Sequence, residues 1–173
     1  MNAYRKAIRE EMKILGKMKN TIFLGQQVGV TNFYGTLNDV SMKKRIELPV
    51  AEEMQMGLSI GLSLEGYLPI SIYQRMDFLP RAMDQIVNHL DKLEEMSCGI
   101  YKPKVIIRTT IGTRKPFDCG CQHSQDLTKA FEKLVSFPVV KVRNADEVKA
   151  AYIMARDIDR SIIIIEIAEK YND

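Results

Sequence analysis

The sequence is short of the features that most often fix a function at sight. Its longest uninterrupted aliphatic run is Ile162 to Ile165, far below the roughly 18 apolar residues that suggest a membrane helix. Charge of one sign is missing too. Lys and Arg number 25 against 22 Asp and Glu, a net charge of +3 that is too small to argue for nucleic acid. Lys17, Lys19, Lys43, Lys44 and Arg45 are spread over segment ends and turns, where they read as a solvated face. The opening Met1-Asn2-Ala3-Tyr4-Arg5-Lys6 has no apolar signal-peptide core, so a cytoplasmic protein is expected. Cysteine is scarce and odd in number. Cys98, Cys119 and Cys121 fit a reducing compartment better than a disulfide framework. Cys119, Cys121 and His123 could converge on a metal in a loop, but they have no evident fourth ligand and match no common zinc spacing, so no metal is assigned. There is no G-x-G-x-x-G after the first strand, no G-x-x-x-x-G-K-[ST], no H-E-x-x-H and no G-x-S-x-G. Dinucleotide, P-loop, zincin and serine-hydrolase readings therefore lack their anchors.

What is present is an ordinary globular composition of 46% apolar and 27% charged residues over 173 positions, enough for one domain with one core. Tyr4, Ile8, Met12 and Leu15 fall at helical spacing and predict an amphipathic helix within a helical segment of about 1–19. Short apolar runs at Thr21 to Leu24, Ile46 to Leu48, Pro69 to Tyr73, Val105 to Ile107, Val139 to Val142 and Ile162 to Ile165 read as strands. Between them, helices are expected from Glu52 to Gly66, after Asp77-Phe78-Leu79-Pro80, around Leu127, Phe131 and Leu134, and from Asn144 onward. Asn144 with Glu147 three residues on resembles a capping box. The helix from Glu52 has few polar positions and is expected to be buried on most sides. Its Gly57 and Gly61, one turn apart, leave room for close approach by packing or a ligand, at about 1 kcal/mol of helix propensity each. Strands alternating with helices, written as aliphatic runs, predict an α/β fold. The expectation is a three-layer αβα sandwich with a mostly parallel, doubly wound central sheet.

In such folds ligands bind outside the carboxyl ends of the strands, which directs attention to a few loops. Leu48-Pro49-Val50-Ala51-Glu52 places a carboxylate at the first turn of a helix, since proline keeps Leu48 extended and the helix opens just beyond it. Glu52 is then either a helix-start acid favoured by the dipole or an acid placed for chemistry. Gln74 to Phe78 follow the next strand, and the long loop from Thr109 to Gln122 delivers His123. Phe78 is either core packing or an aromatic on the same rim. His123 is either a helix-entry hydrogen-bonding group or an imidazole facing a ligand. His89, the other histidine, lies within an expected helix and reads as structural.

These stretches together carry a likeness to a known family. Leu48-Pro49-Val50-Ala51-Glu52 with Gly57 and Gly61, Asp77-Phe78-Leu79-Pro80-Arg81-Ala82-Met83-Asp84-Gln85-Ile86-Val87-Asn88, Met96-Ser97-Cys98-Gly99 and His123-Ser124-Gln125 resemble the beta subunit of thiamine diphosphate-dependent 2-oxo acid dehydrogenases of the branched-chain and pyruvate type. Within it the match is to the pyrimidine-binding domain, which is similar to the central domain of transketolase. The likeness implies that residues 1–173 form one such domain. It implies that Glu52 hydrogen-bonds the aminopyrimidine nitrogen and promotes the imino tautomer, burial beside Met54 or Met56 shifting its proton affinity in the useful direction. Phe78 would lie against the pyrimidine, with Gln74 beside the cofactor. His123 would face the substrate and donate to the developing enolate or alkoxide. Arg75 stands where relatives carry apolar or aromatic residues, and could meet an anionic substrate. The family's diphosphate and Mg2+ site needs a Gly-Asp-Gly followed by paired asparagines, and this sequence has no Gly-Asp-Gly. The implied partner is an alpha-like subunit carrying that site, in an α₂β₂ assembly, without which the chain is inactive. The family's carboxyl-terminal domain is likewise expected to be absent. The implied function is one half of a split enzyme acting on a 2-oxo acid or related ketone. Transketolase-like ketol transfer, non-oxidative decarboxylation and a non-catalytic assembly or regulatory partner are the alternatives.

Overall fold

The computed structural model describes residues 2–115 and 117–171. Six strands, β1 (Thr21–Gly25), β2 (Arg45–Glu47), β3 (Leu68–Tyr73), β4 (Ile106–Ile111), β5 (Val139–Lys141) and β6 (Ile162–Ile167), form one sheet in the order β2-β1-β3-β4-β6-β5. Every pairing is parallel. The helices are α1 (Ala3–Lys17), an irregular single turn α2 (Asn32–Gly35), α3 (Glu52–Leu64), a one-turn α4 (Leu93–Met96), α5 (Thr128–Leu134) and α6 (Ala145–Asp157). Helices cover both faces, so the αβα sandwich forms as expected and its sheet is parallel throughout. No helix among the described residues is long and apolar enough to cross a membrane.

The aliphatic strands make sense from the two faces. Successive strand side chains alternate sides, and both sides here are dry. Ile162 and Ile164 join Ile8 and Met12 of α1 and Tyr152 of α6 in one core, whereas Ile163 and Ile165 join Met56 of α3, Ile86 and Phe131 in the other. Burying each such isoleucine contributes about 1.5–3 kcal/mol, which is why an apolar run replaces alternation.

β4 is longer than its apolar residues suggest. It runs past Ile107 through Arg108, Thr109 and Thr110, all fully buried, so the loop expected from Thr109 begins only after Ile111. Arg108 is accommodated because Glu166 of the neighbouring β6 receives it through two hydrogen bonds of 2.9 and 2.8 Å. The Phe33 ring lies 4.7 Å from the guanidinium carbon. Tyr152 donates to Glu166 at 2.8 Å and Tyr171 donates to its other oxygen. Burial, reinforced by the Glu166 charge, pushes both tyrosine hydroxyls well above the usual range and keeps them donors.

Two helix expectations are corrected. The segment after Asp77 is not one regular helix. Met76–Ala82 is a tight 3₁₀ turn containing Pro80, followed by wide turns over Gln85–Leu90 in which the Asp91 N–H reaches back five residues to the Ile86 carbonyl at 3.1 Å. Proline has no N–H to continue an α-helical ladder, and the turns tighten and widen around it. Ile86 and Leu90 are nevertheless buried as expected. The second correction concerns α3, which buries one face only. Glu52, Gln55, Met56, Ser59 and Ile60 point inward, while Met54, Leu58 and Leu64 are exposed. The polar residues are inside because they have partners: Gln55 donates to Ser71 Oγ at 3.1 Å and to the Ile72 carbonyl at 3.0 Å, and Ser59 donates to the Gln55 carbonyl at 2.8 Å. Leu134, read as part of an apolar stripe, is also exposed at the end of α5.

Candidate active site

The loops leaving the carboxyl ends of β2, β3 and β4 bring the candidate residues to one edge of the sheet. After β2 the chain stays extended through Leu48 and Pro49, and α3 opens at Glu52, not directly after the proline. Glu52 is therefore the first helical residue. It is only 3% exposed, and its carbonyl accepts a 3.2 Å bond from the Tyr73 hydroxyl at the end of β3. Burial raises the Tyr73 hydroxyl far above its ordinary value, so it stays a donor and pins the first turn of α3 to the sheet. Gly25, at the end of β1, leaves room for the β3 end at this corner, because a Cβ there would lie 2.1 Å from the Ile72 carbonyl oxygen and 3.2 Å from the Gln55 side-chain amide.

The Glu52 carboxylate opens on a cavity of about 680 Å³ lined also by Val50, Gly57, Leu58, Arg81 and Gln85. Met54 lines the same cavity. Met56 is buried but Met54 is half-exposed, and Arg81 Nε donates to Glu52 Oε2 at 3.0 Å. Among the described residues Arg81 is the one side chain hydrogen-bonded to this carboxylate.

Phe78 and His123 form a second cluster. Phe78 sits on the Met76–Ala82 turn, its N–H bonded to the Arg75 carbonyl at 3.1 Å. Its ring meets the His123 imidazole edge to face, with centroids 5.7 Å apart and planes at 83°. His123 ends a short 3₁₀ turn, Cys121–His123, and donates its N–H to the Gly120 carbonyl at 3.2 Å. Gly112, just past β4, makes this possible: a Cβ there would fall 1.8 Å from the His123 carbonyl oxygen. Asp77 fastens the far side, its Oδ1 accepting from the Gln125 N–H at 3.1 Å and the Gln125 side chain at 3.0 Å. The two clusters share the Met76–Ala82 turn, which carries both Phe78 and Arg81. No hydrogen bond joins Glu52 to His123 among the described residues.

Residues 1–172 match the family model described as the transketolase pyrimidine binding domain. The chain belongs to that family. Among curated relatives of this pyrimidine-binding domain, the beta subunit of the pyruvate dehydrogenase E1 component from Cyanidium caldarium is 30% identical over 175 residues, covering 98% of this chain and 52% of that protein. The corresponding subunit of Rickettsia conorii is 28% identical, over 95% of this chain and 50% of the relative. The chain thus spans about half the length of the curated relatives it matches. Among solved structures, a split gene transketolase described as an inactive beta4 tetramer superposes with a TM-score of 0.73 at 19% identity, over 94% of this chain and 50% of that one. Transketolase from Campylobacter jejuni gives a TM-score of 0.76 at 15% identity, over 94% and 25%. Both likenesses establish the fold.

The remaining candidates of the pyrimidine-binding domain are placed as follows. Gln74 is half-buried, and its carbonyl accepts from Thr110 Oγ1 at 2.6 Å, joining the ends of β3 and β4. Arg75 is half-buried behind the Gly112 and His123 contact. Among the described residues its Nη1 is shielded from solvent without a hydrogen-bond partner, and it stands 2.5 Å from where a Gly112 Cβ would be. Cys119 lies in the same loop, 3.4 Å from Thr113 Oγ1. Thr113 and, less strongly, Arg75 draw its thiol below the usual range. No group of three or more His, Cys, Asp and Glu among the described residues is gathered tightly enough for a metal. His89 is exposed and 3.4 Å from Asp84, a surface contact away from the site. Sequence reasoning missed Arg81 and Asp77 as site residues, although both lie inside the quoted Asp77 to Asn88 stretch.

Proposed function

We propose that this pyrimidine-binding domain is the cofactor-activating half of a split thiamine diphosphate enzyme that acts on a 2-oxo acid or related ketone. The observation that carries the reading is Glu52: a carboxylate almost wholly buried at the first turn of α3, yet opening on a cavity of about 680 Å³. Buried carboxylates are uncommon unless paired, and among the described residues an exposed arginine is the one side chain that bonds this one. The residues fit the pyrimidine end of the cofactor. Gly57 lines the cavity without a side chain and Glu52 offers a carboxyl oxygen to a ring nitrogen, while Phe78, on the same turn as Arg81 but outside the cavity lining, is assigned the ring face from the family likeness.

Thiamine diphosphate, when bound, would supply a thiazolium carbon that becomes a nucleophile toward a carbonyl once it has lost its proton. Glu52 shares a proton with the aminopyrimidine nitrogen and orients the ring. Phe78 holds the ring and braces His123, which keeps a proton ready for the oxygen of the reacting carbonyl. Gln74 fixes the β3 and β4 ends beside the cofactor. Arg75 is the candidate cation for the anionic group of the substrate, and likeness to pyruvate dehydrogenase beta subunits favours a 2-oxo acid over ketol transfer. The diphosphate and Mg2+ belong to an alpha-like partner, most simply in an α₂β₂ assembly, because this sequence has no Gly-Asp-Gly. The split transketolase described as an inactive beta4 tetramer supports a chain that is inactive alone. Three free cysteines suit the cytoplasm.

The test is Glu52→Gln in the complex with the partner. Loss of a positioned acid–base group lowers turnover by about 10²–10⁴-fold, and undiminished turnover rejects the assignment. Calorimetry with thiamine diphosphate and Mg2+ separates this reading from a non-catalytic relative, since only the enzyme reading requires both chains for tight binding.

A further inference from the structure

The contact between Arg81 and Glu52 is unequal in a way that bears on how the site is loaded. The Glu52 side chain is 4% exposed, the Arg81 side chain 71%. The arginine reaches in from solvent, touches one carboxylate oxygen with Nε at 3.0 Å, and makes no other side-chain hydrogen bond among the described residues. Its guanidinium lines the same cavity on which Glu52 opens. A guanidinium only donates hydrogen bonds and is always charged, so it uses Glu52 as an acceptor. A ring nitrogen of an aminopyrimidine is itself an acceptor and needs that carboxyl to share a proton with it. The guanidinium and the ring nitrogen therefore compete for one buried carboxyl group, which the arginine now holds by a single oxygen.

We propose that Arg81 is a positioning residue that latches the Glu52 carboxylate in the unassembled chain and is displaced from it when the cofactor's aminopyrimidine arrives. This rests on the reading of Glu52 as the cofactor-activating carboxylate. The long exposed stem lets the guanidinium leave without disturbing the core, and Glu53, exposed on the wall of the same cavity, offers it a second carboxylate. The latch protects a buried acid from standing unpaired until the site is complete, and cofactor binding bears the cost of breaking it.

The experiment uses the complex with the partner chain and measures the dissociation constant of thiamine diphosphate, at fixed Mg2+, for the native protein, Arg81→Ala and Arg81→Lys. An ion pair with one exposed member contributes at most a few-fold, so Arg81→Ala binds the cofactor about two- to five-fold tighter at low salt, with Arg81→Lys between. Salt screens the pair, so the ratio between native and Arg81→Ala falls toward one as ionic strength rises, and the gain appears in the cofactor KM more than in kcat. Unchanged or weaker binding by Arg81→Ala overturns the latch, as does a ratio independent of salt. A Glu52→Gln complex run alongside keeps the two failures apart. If Glu52 still proves essential while Arg81→Ala has no effect, the latch alone is wrong; if Glu52→Gln is also without effect, the reading beneath it has failed.

Discussion

Glu166 and Arg108 are both completely buried, so neither charge tolerates the loss of the other. Breaking a buried pair by removing one partner costs about 3–5 kcal/mol, because the remaining ion keeps its desolvation penalty. Glu166→Ala is therefore expected to lower the unfolding free energy of the isolated chain by that amount in urea titrations, and a loss under about 1 kcal/mol would show that the core does not depend on the pair. A milder probe is Cys119. Its thiol is drawn down by Thr113 and then by Arg75, so alkylation of Cys119, followed by mass spectrometry against pH, rises through a midpoint below the free thiol's value of about 8.5. Thr113→Val moves that midpoint upward, and an unmoved midpoint removes Thr113 as the cause. At this scale the sequence disclosed residues whose type is odd for their place: an acid just after a strand-end proline, an imidazole in a cysteine-flanked loop. Arg81 and Asp77 escaped because a charged residue on a turn looks solvated until its partner, forty-eight positions away for Asp77 and Gln125, is brought beside it. Arg108 escaped for the same reason, inside a strand whose other partner strand lies far along the chain.

Elements with local causes were the readable ones. Asn144 accepts from the Asp146 and Glu147 N–H groups at 3.1 and 2.9 Å, and Glu147 returns to the Arg143 N–H at 2.8 Å. The reciprocal pair lies within a few residues, so its signature survives in the sequence. Asn144→Ala is expected to cost about 1 kcal/mol, read as a fall in thermal midpoint, while Asn144→Asp keeps the acceptor and most of the stability. α1 was readable for a similar reason: Tyr4, Ile8, Met12 and Leu15 are all buried on one stripe. The stretch from Met76 to Leu90 was not, because the apolar spacing of Ile86 and Leu90 satisfies an α-helix and wider turns alike. What decides between them is a proline ring and the need to set Phe78 against His123 and Arg81 against Glu52. The burial of α3 was misjudged because polarity inside it follows its hydrogen bonds to β3, not its hydropathy.

At the scale of the molecule, α3 has mixed faces: Glu52, Gln55 and Ser59 are buried beside Met56 and Ile60, whereas Met54, Leu58, Leu64 and Gly61 are exposed and Gly57 is half-buried. Packing among the described residues requires neither Gly57 nor Gly61. A Cβ on Gly61 would meet no atom within 4 Å, and one on Gly57 would make only ordinary contact with Gln85 at 3.6 Å. In an exposed helix interior each glycine costs about 1 kcal/mol relative to alanine, so the isolated domain carries an avoidable penalty on the face beside its site. The proposed partner gives that penalty a purpose, since absent side chains allow a second backbone to approach closely. Gly61→Ala should then act in opposite directions on two measurements. In the isolated chain it raises unfolding free energy by up to about 1 kcal/mol, because the methyl enters empty space and the helix gains propensity. In the complex it weakens assembly, seen as earlier dissociation on dilution in analytical ultracentrifugation, with larger losses for Gly61→Leu. A variant that stabilises the chain and assembles as tightly as the native protein would place the partner elsewhere and leave the glycines without a role.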